Sequence, residues 1–76
     1  MSNNLKEGTV TVISTYYSDE QQGARAEVVK QPDSYQIKYY DPMGDLFFTE
    51  DFAGKSVHYV EDAAENWALG IKQLNG

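Results

Sequence analysis

The spacing of apolar residues changes once along this chain, and that change constrains the fold more than any other feature. Up to residue 51, apolar and aromatic residues fall into four short segments separated by turn sequences. The third segment, 35–40, alternates with the period of two that is typical of a β-strand. After Ser56, apolar residues recur at intervals of three and four, which predicts one amphipathic helix.

The short connections between these segments predict how the strands pair. At Asp41-Pro42-Met43-Gly44, Asp, Pro and Gly occupy the positions that a type I turn favours. Parallel strands need longer crossovers, so consecutive strands are expected to run antiparallel. The prediction is an α+β fold, an antiparallel four-stranded meander sheet (three to four strands) followed by one C-terminal helix packed on one face. The strands are expected over residues 9–17, 24–30, 35–40 and 45–51.

The helix is expected to begin after Ser56, whose hydroxyl can accept an amide hydrogen bond as an N-cap. It should run for about five turns and include Gly70, at a cost of roughly 1 kcal/mol relative to alanine unless Gly70 approaches the sheet closely. One apolar stripe is predicted along it, formed by Val57, Val60, Ala64, Trp67, Ala68, Ile71 and Leu74.

A chain of 76 residues has room for one small domain. Residues 1–8 are predicted to be a flexible polar leader, and residues 9–76 a single ββββα domain. The chain has no cysteine, so packing alone must hold the fold. Because so small a domain buries only roughly 60% of its unfolded surface, self-association is one way to gain further burial.

One face of the sheet is expected to pack against the helix, with Val60, Trp67 and Ile71 contacting it. The register of the first strand is the least determined, because both of its faces contain apolar residues. The residues predicted to face the helix are Val10, Val12, Tyr16, Ala26, Val28, Tyr35, Ile37, Tyr39, Leu46 and Phe48.

The opposite face of the sheet should also carry apolar residues, whereas a solvated face is normally mostly polar. Tyrosine and phenylalanine are enriched in protein interfaces, so this face is predicted to contact a second copy of the chain or another protein. The alternative is that cross-strand aromatic pairs stabilise a small sheet, each by roughly 0.2–1 kcal/mol. The candidate interface residues are Ile13, Tyr17, Val29, Tyr40 and Phe47.

Twelve acidic residues against six basic ones give a net charge of −6, which argues against direct nucleic-acid binding. Glu61, Asp62 and Glu65 form a candidate acidic face on the helix, which suggests an alternative function as an acidic mimic of nucleic acid that inhibits a DNA- or RNA-binding protein. His58 lies close to them in sequence, but a solvated helix face explains this group better than a metal site.

No sequence pattern indicates catalysis, and the chain is predicted not to be an enzyme. It lacks cysteine, a Gly-x-Ser-x-Gly motif and a phosphate-binding loop, so no catalytic, cofactor-binding or metal-binding residue is assigned. No apolar run reaches the length of a membrane span, and the N-terminus does not resemble a signal peptide. A cytoplasmic location without membrane contact is therefore expected.

The segment Gly54-Lys55-Ser56-Val57-His58-Tyr59-Val60-Glu61-Asp62-Ala63-Ala64-Glu65-Asn66-Trp67 resembles the C-terminal part of small uncharacterised accessory proteins of tailed cyanophages. In these proteins a short strand meander precedes a helix of similar sequence. The resemblance covers about the last quarter of the chain and implies a small phage protein in the host cell cytoplasm. It implies a role in binding a host protein or in regulation, and it carries over no catalytic residue.

Overall fold

The computed structural model describes residues 11–71 and confirms the α+β fold. Four antiparallel strands form one sheet in the order β1-β2-β3-β4, as expected for a meander, and one helix follows them. The elements are β1 (Thr11–Tyr17), β2 (Arg25–Lys30), β3 (Tyr35–Tyr40), β4 (Leu46–Phe52) and α1 (Val57–Ala68).

The predicted strands agree with these bounds to within one residue where the chain is described. The β3–β4 connection is the predicted turn, in which the Gly44 amide donates to the Asp41 carbonyl at 2.9 Å. The φ angle of Gly44 is 91°, a left-handed conformation that glycine adopts without strain and that closes a three-residue hairpin loop. The predicted leader, 1–8, and the first two residues of the predicted first strand lie outside the described residues.

The core lies between α1 and one face of the sheet, and Tyr39 is its largest fully buried side chain. The Tyr39 ring meets the Trp67 ring edge to face at a centroid distance of 5.1 Å, and its hydroxyl donates to Glu50 at 2.9 Å. The predicted helix-side residues that belong to this core or pack against it are Tyr16, Ala26, Val28, Tyr35, Ile37, Tyr39, Phe48, Val60 and Trp67.

A β-bulge in β1 makes one face assignment wrong. Val12 pairs with Val29, whereas Ser14 pairs with Val28, so Ile13 is an extra residue in the ladder. The extra residue reverses the alternation of the strand at that point. Val12 therefore lies on the face opposite α1, called the open face below, and Ser14 lies on the helix side. Val10, predicted on the helix side, is outside the described residues.

A second bulge, in β4, makes the predicted face of Leu46 wrong for the same reason. Phe48 pairs with Tyr39, but Leu46 pairs with Tyr40, so Phe47 is the extra residue. Leu46, predicted to face the helix, lies on the open face, where it is 49% exposed. Because β1 and β4 are the two edge strands, each free edge of the sheet carries one bulge.

The helix begins as predicted and ends earlier. Ser56 Oγ accepts a hydrogen bond from the Tyr59 amide at 3.2 Å, which confirms the N-cap. At the other end, the Gly70 amide donates to Trp67 O and the Ile71 amide to Asn66 O, with Gly70 at a φ of 82°. These bonds form a Schellman motif, which ends the helix after 12 residues instead of about five turns.

Two predictions for the helix C-terminus are therefore wrong, and one falls on residues that are not described. Gly70 is a terminator and not an interior helix residue. Ile71 lies beyond the helix and is 69% exposed, so it does not pack on the sheet. Leu74 is outside the described residues.

The position of α1 leaves one strand largely uncovered. The helix packs against β2 most closely and against β1 and β3 on either side, with far less contact to β4. The helix side of β4 is consequently uncovered near its start, where Phe47 is 49% exposed, whereas Phe52 at its end is buried. Among the described residues, no helix has the length and apolar character needed to cross a membrane.

The buried Tyr39 predicts a loss of stability at alkaline pH. Burial raises the pKa of Tyr39 above its ordinary value of 10.0, and the hydrogen bond to Glu50 and the charge of Glu50 raise it further. The unfolded chain releases this proton near pH 10 whereas the folded chain keeps it. The free energy of unfolding should therefore fall above pH 10, by about 1.4 kcal/mol per pH unit from this group.

Urea unfolding at several pH values between neutrality and pH 11 measures this dependence. Tyr39→Phe should be less stable than the parent at neutral pH and should show a shallower decline above pH 10. Tyr17→Phe is the matched control, because Tyr17 is 66% exposed. The same alkaline slope in Tyr39→Phe and the parent would show that Tyr39 does not hold its proton in the folded state.

Candidate interaction surface

The five predicted interface residues do not form one surface. Tyr17 and Tyr40 lie in one row across the open face, with Arg25 between them. Ile13 is the bulge residue near the start of β1, away from that row. Val29 is on the open face but only 1% exposed, so it cannot meet a partner in this conformation.

Phe47 was predicted on the open face, but the structure places it on the helix side. The centroid of its ring lies 6.4 Å from that of Tyr39, a core residue on the helix side, and Phe48 also contacts Tyr39 at 5.9 Å. Both neighbours approach one residue because two residues of a bulged strand oppose one residue of its partner. Phe47 therefore exchanges faces with Leu46, which was expected on the helix side.

The open face is mostly polar, which argues against an interface across its whole width. Its middle row consists of Thr15, Glu27, Lys38 and Thr49. Arg25 Nε lies 3.1 Å from Glu27 Oε2, and the Arg25 guanidinium stacks over the Tyr40 ring at 4.1 Å from its centroid. These contacts are typical of a solvated sheet face that is stabilised by cross-strand pairs.

Exposed apolar side chains gather instead at one end of the molecule. This end, called the hairpin end, contains the β1–β2 and β3–β4 loops and the C-terminus of α1. A hydrogen bond of 2.8 Å from the Asp19 amide to Ala68 O joins the first loop to the helix. The exposed large apolar residues at this end, called the hairpin-end cluster, are Tyr17, Met43, Leu46, Phe47, Leu69 and Ile71.

Carboxylates surround the hairpin-end cluster. Asp19 and Glu20 lie in the β1–β2 loop, and Asp41 and Asp45 in the β3–β4 loop. Neither loop contains a lysine or an arginine. Arg25, at the start of β2, is already paired with a carboxylate within the sheet. The carboxylates of these two loops, called the acidic rim below, thus lie at the same end of the molecule as the hairpin-end cluster.

The carboxylates of the predicted acidic face have different neighbours. Glu61 points to β1, where its carboxylate accepts a hydrogen bond of 2.5 Å from Ser14 Oγ. Burial raises the pKa of Tyr16 on β1, and the charges of Glu61, Glu65 and Asp62 raise it further, whereas a hydrogen bond with Ser14 lowers it. Asp62 also lines a cleft beside β4.

Glu61 is engaged by Ser14 and Asp62 lines the cleft. The acidic face of Glu61, Asp62 and Glu65, and the acidic mimic that it suggests, stay predictions. His58 is exposed at the start of the helix. Within residues 11–71, no group of three or more histidine, aspartate and glutamate side chains is arranged to hold a metal ion. A solvated helix side explains His58 without a ligand.

Comparison of the chain with protein-family models, with curated proteins and with solved structures gives no match. The resemblance of the helix segment to cyanophage accessory proteins therefore stays a prediction.

The hydrogen bond between Ser14 and Glu61 joins β1 to α1 and can be tested by mutation. Ser14→Ala leaves the carboxylate without its donor at a partly buried site, so the free energy of unfolding should fall by about 1–2 kcal/mol. Thr15→Ala, on the open face of the same strand, is the control and should change it by less than about 0.5 kcal/mol. Urea unfolding at neutral pH measures both, and equal effects would show that the bond does not stabilise the fold.

Proposed function

We propose that this chain is a small non-enzymatic interaction protein that binds another protein through its hairpin-end cluster. The supporting observation is the concentration of exposed apolar side chains at one end of a domain whose open sheet face is mostly polar. An apolar centre with a polar rim is the usual anatomy of a protein interface. Contiguous apolar patches on a small soluble domain commonly mark such sites.

The acidic rim specifies the chemistry of the partner. The loops beside the cluster contribute Asp19, Glu20, Asp41 and Asp45 and no cation. A partner surface with apolar side chains surrounded by lysine and arginine complements this arrangement. A second copy of the chain brings the same carboxylates against one another, on top of a net charge of −6 per chain. We therefore favour a different protein as the partner over a homodimer.

The mass of the free protein in solution tests the choice between these partners. Light scattering at low salt should give the monomer mass of 8.6 kDa, because repulsion between the acidic rims opposes self-association. A dimer mass that disappears in Leu46→Lys but persists in Val12→Lys would contradict this choice and would establish the homodimer.

The binding surface itself is tested by two matched double variants. Leu46 and Phe47 are consecutive exposed residues at the bulge of one edge strand, and Val12 and Ile13 are their counterparts in the other. With the chain as bait in a cell lysate, Leu46→Ser with Phe47→Ser should reduce capture of a binding protein at least about tenfold. Val12→Ser with Ile13→Ser should leave capture unchanged, because these residues lie outside the hairpin end.

Charge reversal completes the test. Asp19→Lys with Asp45→Lys should also weaken the capture, and the effect should diminish at high salt. Isothermal titration of the purified partner against the four proteins then gives the affinities. An equal loss of capture in the two apolar double variants would contradict the proposed surface. Capture that is unchanged by the charge reversal would contradict it as well.

A further inference from the structure

A cleft lies between β4 and α1, on the side of the sheet that the helix does not fully cover. It has a volume of about 290 Å³ and is lined by Phe52, Tyr59, Asp62, Ala63 and Asn66. The cleft is separate from the hairpin-end cluster, since it is lined by the end of β4 and the first turns of α1. Its size is near the lower limit of ordinary ligand pockets, which suits a group no larger than a side chain.

Two aromatic rings form the apolar part of this cleft. The rings of Phe52 and Tyr59 meet edge to face, with centroids 6.0 Å apart and planes at 62°. Phe52 is buried at the end of β4, whereas Tyr59 is 52% exposed on the helix. The Phe52 ring thus supports the Tyr59 ring, which presents aromatic surface to solvent.

Asp62 adds a negative charge beside these rings. Its side chain is exposed, and among residues 11–71 no lysine or arginine forms an ion pair with it. A carboxylate next to aromatic surface disfavours an anionic ligand and favours a cationic one. The excess negative charge of the chain acts in the same direction.

Lys55 shows that a cation is stable against this aromatic group. Its Nζ lies 4.8 Å from the centroid of the Tyr59 ring, within the range of a cation–π contact. The chain therefore places its own ammonium on the ring that lines the cleft.

We propose that the cleft binds an organic ammonium group, with Tyr59 and Phe52 as the aromatic surface and Asp62 as the counter-charge. Aromatic rings combined with a carboxylate are a recurrent means of recognising alkylated ammonium groups. The group can come from a free small molecule or from a lysine side chain of a protein. In either case Lys55 competes for the Tyr59 ring, so it limits the affinity of the free cleft.

Titration with choline, followed by the amide signals of residues 59–66 in NMR spectra, tests the site. The control ligand is 3,3-dimethylbutan-1-ol, which has the same shape without the charge. Choline should produce saturable shifts, and the neutral alcohol should bind at least about fivefold more weakly. Equal binding of the two compounds would overturn the proposal, as would the absence of saturable shifts with choline.

Two pairs of variants assign the contacts. Asp62→Asn should weaken choline binding by about fivefold or more, whereas Glu65→Gln makes the same charge change at a residue that does not line the cleft and should have less than about a twofold effect. Lys55→Gln should strengthen binding by about twofold to fivefold, because it frees the Tyr59 ring. Lys30→Gln is its control, since Lys30 lies over the Tyr35 ring instead.

The source of the ammonium group follows from two further ligands. The N-acetyl methylamides of lysine and of trimethyllysine carry the group on a peptide backbone. Tighter binding of either amide than of choline supports a protein side chain as the ligand, and tighter binding of choline supports a free small molecule. If Asp62→Asn weakens the binding of none of the three ligands, the proposed site is overturned. That result would leave the hairpin-end cluster untouched, because its test uses other residues.

Discussion

The width of the single helix is the constraint on which the other features of this structure depend. A helix with its side chains is about 10–12 Å across, whereas neighbouring strands lie about 4.8 Å apart, so four strands extend beyond the cover of one helix. Here α1 is centred on β2, with β1 and β3 on either side. The helix side of β4 is left uncovered near the start of that strand as a result. Both the exposure of Phe47 and the cleft beside Tyr59 follow from this placement.

Tyr39 compensates for part of that missing cover. It lies on β3, next to the uncovered strand, and contacts Trp67 of the helix on one side and Phe48 of β4 on the other. Its hydroxyl reaches Glu50, so β4 is tied to the core by a hydrogen bond as well as by ring packing. In a small core without disulfides, Tyr39 thus joins β4 to the helix, together with the buried Phe52 of β4 itself.

The sequence predicts the order of the elements well because the change of period and the turn residues are local signals. The predicted turn forms at Asp41-Pro42-Met43-Gly44, and the predicted N-cap forms at Ser56. The predicted faces of Val12 and Leu46 were wrong. The alternation of side chains along a strand predicts a face only where the pairing with the neighbouring strand is uninterrupted. A bulge is decided by pairing with the neighbouring strand, which no single segment reveals.

The predicted length of the helix was wrong for a different reason, because the sequence does contain the signal that ends it. Gly70 followed by the apolar Ile71 is the pattern of a Schellman motif, and the motif stopped the helix although the apolar stripe continued. The two candidate surfaces could not be predicted in this form. Exposure at the hairpin end depends on the bulge in β4 and on the early helix end. The cleft depends on the lateral position of α1 on the sheet.

Amide hydrogen exchange in the native protein tests the off-centre helix most directly. The two edge strands are matched, since each carries one bulge and pairs with a single neighbour. If α1 packs on β1 and leaves the start of β4 uncovered, the paired amides of β1 should exchange more slowly than those in the first half of β4, because opening β1 also breaks its contacts with α1. Equal protection of the two strands, or greater protection of β4, would contradict the off-centre helix and both surfaces that follow from it.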